Sequence, residues 1–193
     1  MKVLLVVALL VVVARSQVPE PCEAPNVWEG RVFEVVPSRR FERFGKISYD
    51  KLGERFRIIE ELNGGNTTVR YDELYLHKEK IRYRFNLNTR VCTKEALTEP
   101  FQPIEVVTGA RFESELYIGS SSVPGGSVAV DLFGGERTVE GPYQATFTTV
   151  QCIPVTSAHV SPTYGFVHWN IYDVTLGISD PNVFIPRSEC LTL

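Results

Sequence analysis

Unbroken apolar length is scarce in this chain of 193 residues. Only residues 3–14 run without a polar side chain, and no later segment approaches the roughly 20 residues that span a bilayer. Lys2 precedes that run, and Ala14-Arg15-Ser16 places small residues three and one positions before Gln17. A short apolar core behind one positive charge and ahead of small residues is a secretory signal peptide, here residues 1–16. Residues 17–193 are then one domain, long enough to bury a substantial core.

A basic excess is also missing. Without Lys2 and Arg15, 18 basic residues face 23 acidic ones, a net charge of −5. No basic stripe remains to neutralise phosphates, which disfavours nucleic acid as a partner. Closely spaced cysteines are absent too. Cys22, Cys92, Cys152 and Cys190 form no C-x-x-C zinc or redox motif. Four cysteines in a secreted chain read as two disulfides, with three possible pairings.

Catalytic signatures are lacking. The three histidines, His77, His159 and His168, occur in no H-E-x-x-H or H-x-H pattern, and there is no G-x-S-x-G. Ser120-Ser121-Ser122 lies in a Gly/Pro loop, and Gly125-Gly126 and Gly134-Gly135 lack the spacing of a phosphate cradle. The expectation is a protein without enzymatic activity. No EF-hand loop occurs, because Asp50 to Glu54 is too short. Asp173, Asp180, Asn182 and Glu189 lie within 17 residues on Pro-bounded turns. They are either a calcium site or a solvated acidic surface, and spacing alone favours the surface.

Helical periodicity is absent as well; period-two alternation takes its place. Strands are expected at residues 45–49, 54–60, 67–76, 81–86, 111–118, 127–133, 143–153 and 166–176. Loops are expected at 119–126, 134–142 and 154–164, with a single helical turn at 93–97. In residues 81–86, Ile81, Tyr83 and Phe85 form an apolar face and Arg82, Arg84 and Asn86 a wet one. Asn66-Thr67-Thr68 follows an Asn-Gly-Gly turn and offers a glycosylation site at Asn66. The aromatic residues (11 Phe, 8 Tyr, 2 Trp) suit either a filled core or the wall of a ligand cavity.

Several segments in order resemble the ependymin family of secreted glycoproteins. They are Cys22-Glu-Ala-Pro, Trp28-Glu-Gly-Arg31, Ile47-Ser-Tyr-Asp50, Cys92-Thr-Lys, residues 97–104 (LTEPFQPI) and residues 177–190 (GISDPNVFIPRSEC). The resemblance implies a mainly β fold: a strongly curved antiparallel sheet, packed partly on a second sheet, enclosing an apolar pocket as in bacterial lipoprotein carriers. It implies the pairs Cys22–Cys152 and Cys92–Cys190, a homodimer, calcium association, and a lipid or fatty-acid ligand. The alternative it carries is calcium-dependent adhesion or signalling through contact with extracellular matrix components. A third disulfide found in some relatives has no cysteines here, and a single sequon replaces the two common in brain ependymins. On alternation, the pocket wall would comprise Ile81, Tyr83, Phe85, Phe112, Leu116 and Ile118, with Phe166 and Trp169. The calcium ligands would be Asp173, Asp180 and Glu189.

Overall fold

The computed structural model describes residues 19–64, 67–137 and 141–191, so the signal-peptide segment and Asn66 lie outside the described residues. Among the described residues, eleven strands form one antiparallel sheet. In chain order they are β1 (Val27–Val36), β2 (Phe41–Asp50), β3 (Arg55–Gly64), β4 (Thr67–Leu76), β5 (Ile81–Asn86) and β6 (Cys92–Ala96). These are followed by β7 (Arg111–Gly119), β8 (Ser127–Arg137), β9 (Gly141–Thr148), β10 (Pro154–Ser161) and β11 (Gly165–Leu176). The order across the sheet is β6-β5-β4-β3-β2-β1-β11-β10-β9-β8-β7. Two meanders, β1 to β6 and β7 to β11, are therefore fused where β1 pairs with β11. The expected packing on a second sheet gives way to this fusion, because the β1–β11 ladder joins both halves into one surface.

Curvature follows from connectivity. The edge strands β6 and β7 are consecutive in sequence yet lie at opposite ends of the sheet. A flat sheet of eleven strands is about 48 Å across at ~4.8 Å per strand. The chain from Ala96 to Arg111 reaches only about 50 Å when fully extended. It is not extended: it bends at Ile104 and Glu105, and Ala110 N bonds to Val107 O in a turn. The sheet must therefore curl to bring its edges within reach, although β6 and β7 do not pair to close it. Residues 97–110 run across the curled sheet as a strap, over what we term its inner face.

Register fixes that face. Trp28, Val32, Glu34 and Val36 of β1 oppose Tyr49, Gly45, Arg43 and Phe41 of β2. Phe56, Ile58 and Glu60 of β3 follow, then Tyr75 and Glu73 of β4, and Arg82 and Arg84 of β5. Gly45 is required by close approach, since a Cβ there would stand 2.8 Å from the Ile59 carbonyl oxygen. Two buried clusters underlie the strap. One joins Trp28, Ile47, Tyr49 and Ile171 to Phe101 and Ile104, and the other joins Phe133, Tyr143, Ala145 and Phe147 to Val106. The strap feeds side chains into both.

Residues 134–137, expected as loop, extend β8, and residues 149–153, expected as strand, turn after β9; three further segments differ from the sequence expectation. β1 carries Gly30 and buried Glu29 and Glu34 among its apolar residues, which hides its alternation. Residues 92–96 form an edge strand on β5 instead of a helical turn, with Cys92 tied down by a disulfide. Residues 154–161, expected as loop, form a central strand whose small polar side chains suit neighbours on both sides. Pro154 stands at its first position, where a missing N–H is tolerated. The disulfides are Cys22–Cys152 and Cys92–Cys190, the pairing the family resemblance implies. Among the described residues, no helix is long and apolar enough to cross a membrane.

Candidate functional site

Two adjoining cavities lie under the strap. The larger, about 350 Å³, is walled by Ile47, Tyr49, Phe56, Tyr75, His77 and Arg82 from the sheet and by Leu97, Glu99 and Pro100 from the strap. The smaller, about 200 Å³, is walled by Ala145, Phe147, Thr156 and Ile171, with Pro103 and Glu105 above. Gln102, Ile104 and Trp169 line both, so these residues form the junction. Tyr49 stacks between Trp28 and Phe101 at centroid distances of 5.2 and 5.9 Å, and Phe56 stacks on Tyr75 at 4.2 Å.

Specific hydrogen bonds hold the strap above these rings. The Tyr49 hydroxyl accepts from Ile104 N and the Tyr143 hydroxyl from Val107 N, both at 3.1 Å. Lys51 pairs with Glu105. Burial pushes the Tyr49 phenol up to about 12, so its proton stays in place across the neutral range.

Beyond the larger cavity the inner face turns ionic. Arg43 bridges Glu34 at 3.0 Å and Glu60 at 2.9 Å. Glu73, 1% exposed, receives Arg82 at 2.9 Å, Arg84 at 2.7 Å and the Tyr75 hydroxyl. Glu60 is 3% exposed; burial lifts its carboxyl to about 7 against the pull of Arg43. Arg82 and Arg84 thus lie inside, not on the expected wet face, because Glu73 and Glu60 on neighbouring strands compensate them.

The expected wall residues are scattered. Trp169 lines both cavities. Phe112 packs edge-on against Phe133, 6.0 Å away, at the margin of the second cluster. Ile81, Tyr83 and Phe85 belong to the opposite face, where Tyr83 and Phe85 pack around Cys92 and Cys190 and Arg187 sits over the Phe85 ring. Leu116 and Ile118 are exposed on edge strand β7, and Phe166 is exposed on β11. Alternation shows which residues share a face but not which face is covered. The chain after β11 covers Phe85: Arg57 donates to the Val183 carbonyl at 2.8 Å and pairs with Asp72, binding this tail to the outer face.

The three candidate calcium ligands point to separate tasks. Asp173, in a left-handed bulge, pairs with Arg31 at 3.3 Å. Asp180 accepts from Asn182 N at 2.9 Å and caps a 3-10 turn, and Glu189 bonds to Arg90 at 2.9 Å. No three His, Cys, Asp or Glu side chains gather as a metal site among the described residues. Residues that sequence reasoning passed over include Tyr49, Phe56, Tyr75, His77, Gln102 and Ile104. None of these carries a local signal, but their charged neighbours do: Glu73, Arg82 and Arg84 are opposite charges on paired strands, with Glu60 beside them, which marks a covered face.

Comparison with known proteins agrees with the fold. The chain is 29% identical over 177 residues to mammalian ependymin-related protein 1 of Rattus norvegicus, covering 90% of this chain and 78% of the relative. It is 26% identical over 172 residues to ependymin-2 of Carassius auratus, covering 89% and 80%. An uncharacterized conserved protein from Thermus thermophilus shares the fold, with a TM-score of 0.55 at 10% identity over 86% of this chain and 88% of that one. A Vibrio parahaemolyticus domain described as outer membrane lipoprotein-sorting superposes at a TM-score of only 0.36 and 6% identity, over 83% and 89%. The ependymin family model matches residues 65–190, and with the ordered anchors from Cys22 to Cys190 this chain belongs to the ependymin family.

Proposed function

We propose that this protein is a secreted, non-catalytic carrier that holds the apolar chain of a lipid beneath the strap. The observation that carries the reading is the pair of cavities meeting at Ile104 and Trp169. Both are roofed by a segment that crosses the sheet without being part of it. Rings and aliphatic groups wall the larger one, and its volume falls in the range typical of small-molecule sites. Two long-range disulfides suit an oxidising, extracellular setting. The mechanism is passive: burying each methylene contributes about 0.8 kcal/mol, offset by the cost of association.

The test is native mass spectrometry of delipidated protein with saturated fatty acids of increasing length. Defined one-to-one adducts are expected, with affinity rising roughly 15-fold for every two methylenes until the cavities are full. Ile104→Trp, which fills the junction, should abolish adducts while circular dichroism stays unchanged. A protein that remains bare with every chain length would sink the carrier reading.

A further inference from the structure

The two edges of the sheet are finished differently. β6 is five residues long, carries Lys94 and Glu95, and is fastened through Cys92 to Cys190. Short length and charge keep an edge from pairing with another chain. β7 is protected only near Glu113, where its ladder to β8 is irregular. From Ser114 to Gly119 it pairs in regular register with Leu132 to Ser127, and its outward edge meets no other strand among the described residues. That segment contains no Pro, Lys or Arg. Leu116, Tyr117 and Ile118 are all exposed, as is Val128 opposite Ile118. An unpaired row of N–H and C=O groups beside exposed apolar side chains is a template for one more strand.

The two sides of this edge differ in chemistry. Leu116 and Ile118 stand beside Val130 and Val128 on one side, and Glu115 and Tyr117 beside Asp131 and Ala129 on the other. Glu115 thus faces Asp131 directly, a like-charge cross-strand pair that is unfavourable by itself. Asp131 is 8% exposed, and burial, followed by the Glu115 charge, lifts its carboxyl above the ordinary value. The Tyr117 hydroxyl donates to Glu115 at 3.0 Å, and no cation pairs with either carboxylate among the described residues.

We propose that β7 is a docking edge for an extended segment of another protein, one in which apolar residues alternate with lysine or arginine. The segment adds as one further strand, its main chain completing the outward N–H and C=O groups between Ser114 and Gly119. Its apolar residues cover Leu116 and Ile118, and its cations lie against Glu115. Glu115 is the carboxylate within reach; Asp131 acts by adding negative charge behind it. A second copy of β7 does not supply this chemistry. Two paired Ser114–Gly119 segments would bring Glu115 and Asp131 of both copies together with no basic residue between them. The assignment stands independently of the carrier reading, which concerns the space beneath the strap.

The experiment titrates the full-length secreted protein, at physiological salt, with three capped octapeptides: alternating Val-Lys, alternating Val-Glu, and a block of four Val followed by four Lys. Alternating Val-Lys is expected to bind about fivefold or more tightly than alternating Val-Glu, an attraction gained and a repulsion avoided across one ladder. It should also bind more tightly than the block peptide, whose charge is equal but whose period does not match a strand. In Glu115→Lys the ratio between the two alternating peptides should collapse to one or below, and in Glu115→Gln it should fall part of the way. Hydrogen exchange supplies a second readout: outward amides of residues 114–119 should slow with the Val-Lys peptide, while those of β3 and β4 stay as they were. No binding, equal affinity for alternating and block Lys peptides, a ratio unchanged in both variants, or slowing away from β7 would overturn the assignment. So would slowing of the 114–119 amides with protein concentration alone, which would give this edge to a second copy. None of these outcomes bears on lipid binding, which the fatty-acid titration tests separately.

Discussion

Glu60 shows how a single side chain sets the pH behaviour of the inner face. Its carboxyl lies among Arg43, Glu34, Glu73 and Arg84 and is raised to about 7, chiefly by burial. An unfolded glutamate titrates near 4.5. Between those values the folded protein keeps a proton that the unfolded chain has released. Stability from this group is therefore full below about 4.5 and declines as pH rises toward 7, by up to about 3 kcal/mol. Glu29 acts in the opposite sense at lower pH. Burial pushes it up, but bonds from Ser179 and Ser48 outweigh that and hold it below its ordinary value. Its contribution is present above about 4.5 and is lost as pH falls from there through its lowered folded value. Urea midpoints from pH 5 to 8 should thus fall for the wild type and flatten for Glu60→Gln, which needs no charge at that position. An identical slope in both proteins would remove Glu60 as the cause.

The strap is the element that turns a sheet into a container, and two tyrosines hold it. Tyr49→Phe leaves the Ile104 amide without its acceptor and should cost about 1–2 kcal/mol. Hydrogen exchange should quicken at Ile104 while the β3–β4 ladder stays protected; uniform acceleration would mean the bond has no local role. Little of this was legible in the chain. The strands β2 to β5, β7 to β9 and β11 announce themselves by alternation between turn residues, because each has one covered face. β10 does not, since Thr156, Ser157 and Ala158 pack between two strands without large apolar side chains. Pro100 and Pro103 rule out a helix in the strap but say nothing of where it goes. Its path depends on β6 and β7 ending at opposite edges, a fact of pairing order that no local pattern contains. For the same reason the alternating trio Ile81, Tyr83 and Phe85 resembles a cavity wall and instead lies under the C-terminal tail.

At the scale of the whole molecule, the two disulfides lace the halves together. Cys22 precedes β1 and is tied to Cys152 between β9 and β10, while Cys190 follows β11 and is tied to Cys92 on β6. Each chain end is thus fastened to the other meander, across sequence separations of 130 and 98 residues. Loops of that length contribute on the order of 5 kcal/mol each in the chain-entropy model. Such fastening holds the curled sheet around the strap without filling the space beneath it, so a ligand can occupy that space without refolding the protein. The chain carries two tryptophans that report on this separately. Trp28 is fully buried in the core cluster, whereas Trp169 lines both cavities. Lipid entry should therefore change the emission of Trp169 and leave that of Trp28 nearly constant. In a fluorescence titration, Trp28→Phe should retain the full response and Trp169→Phe should lose it. The reverse pattern would mean that the ligand loosens the core instead of entering beneath the strap.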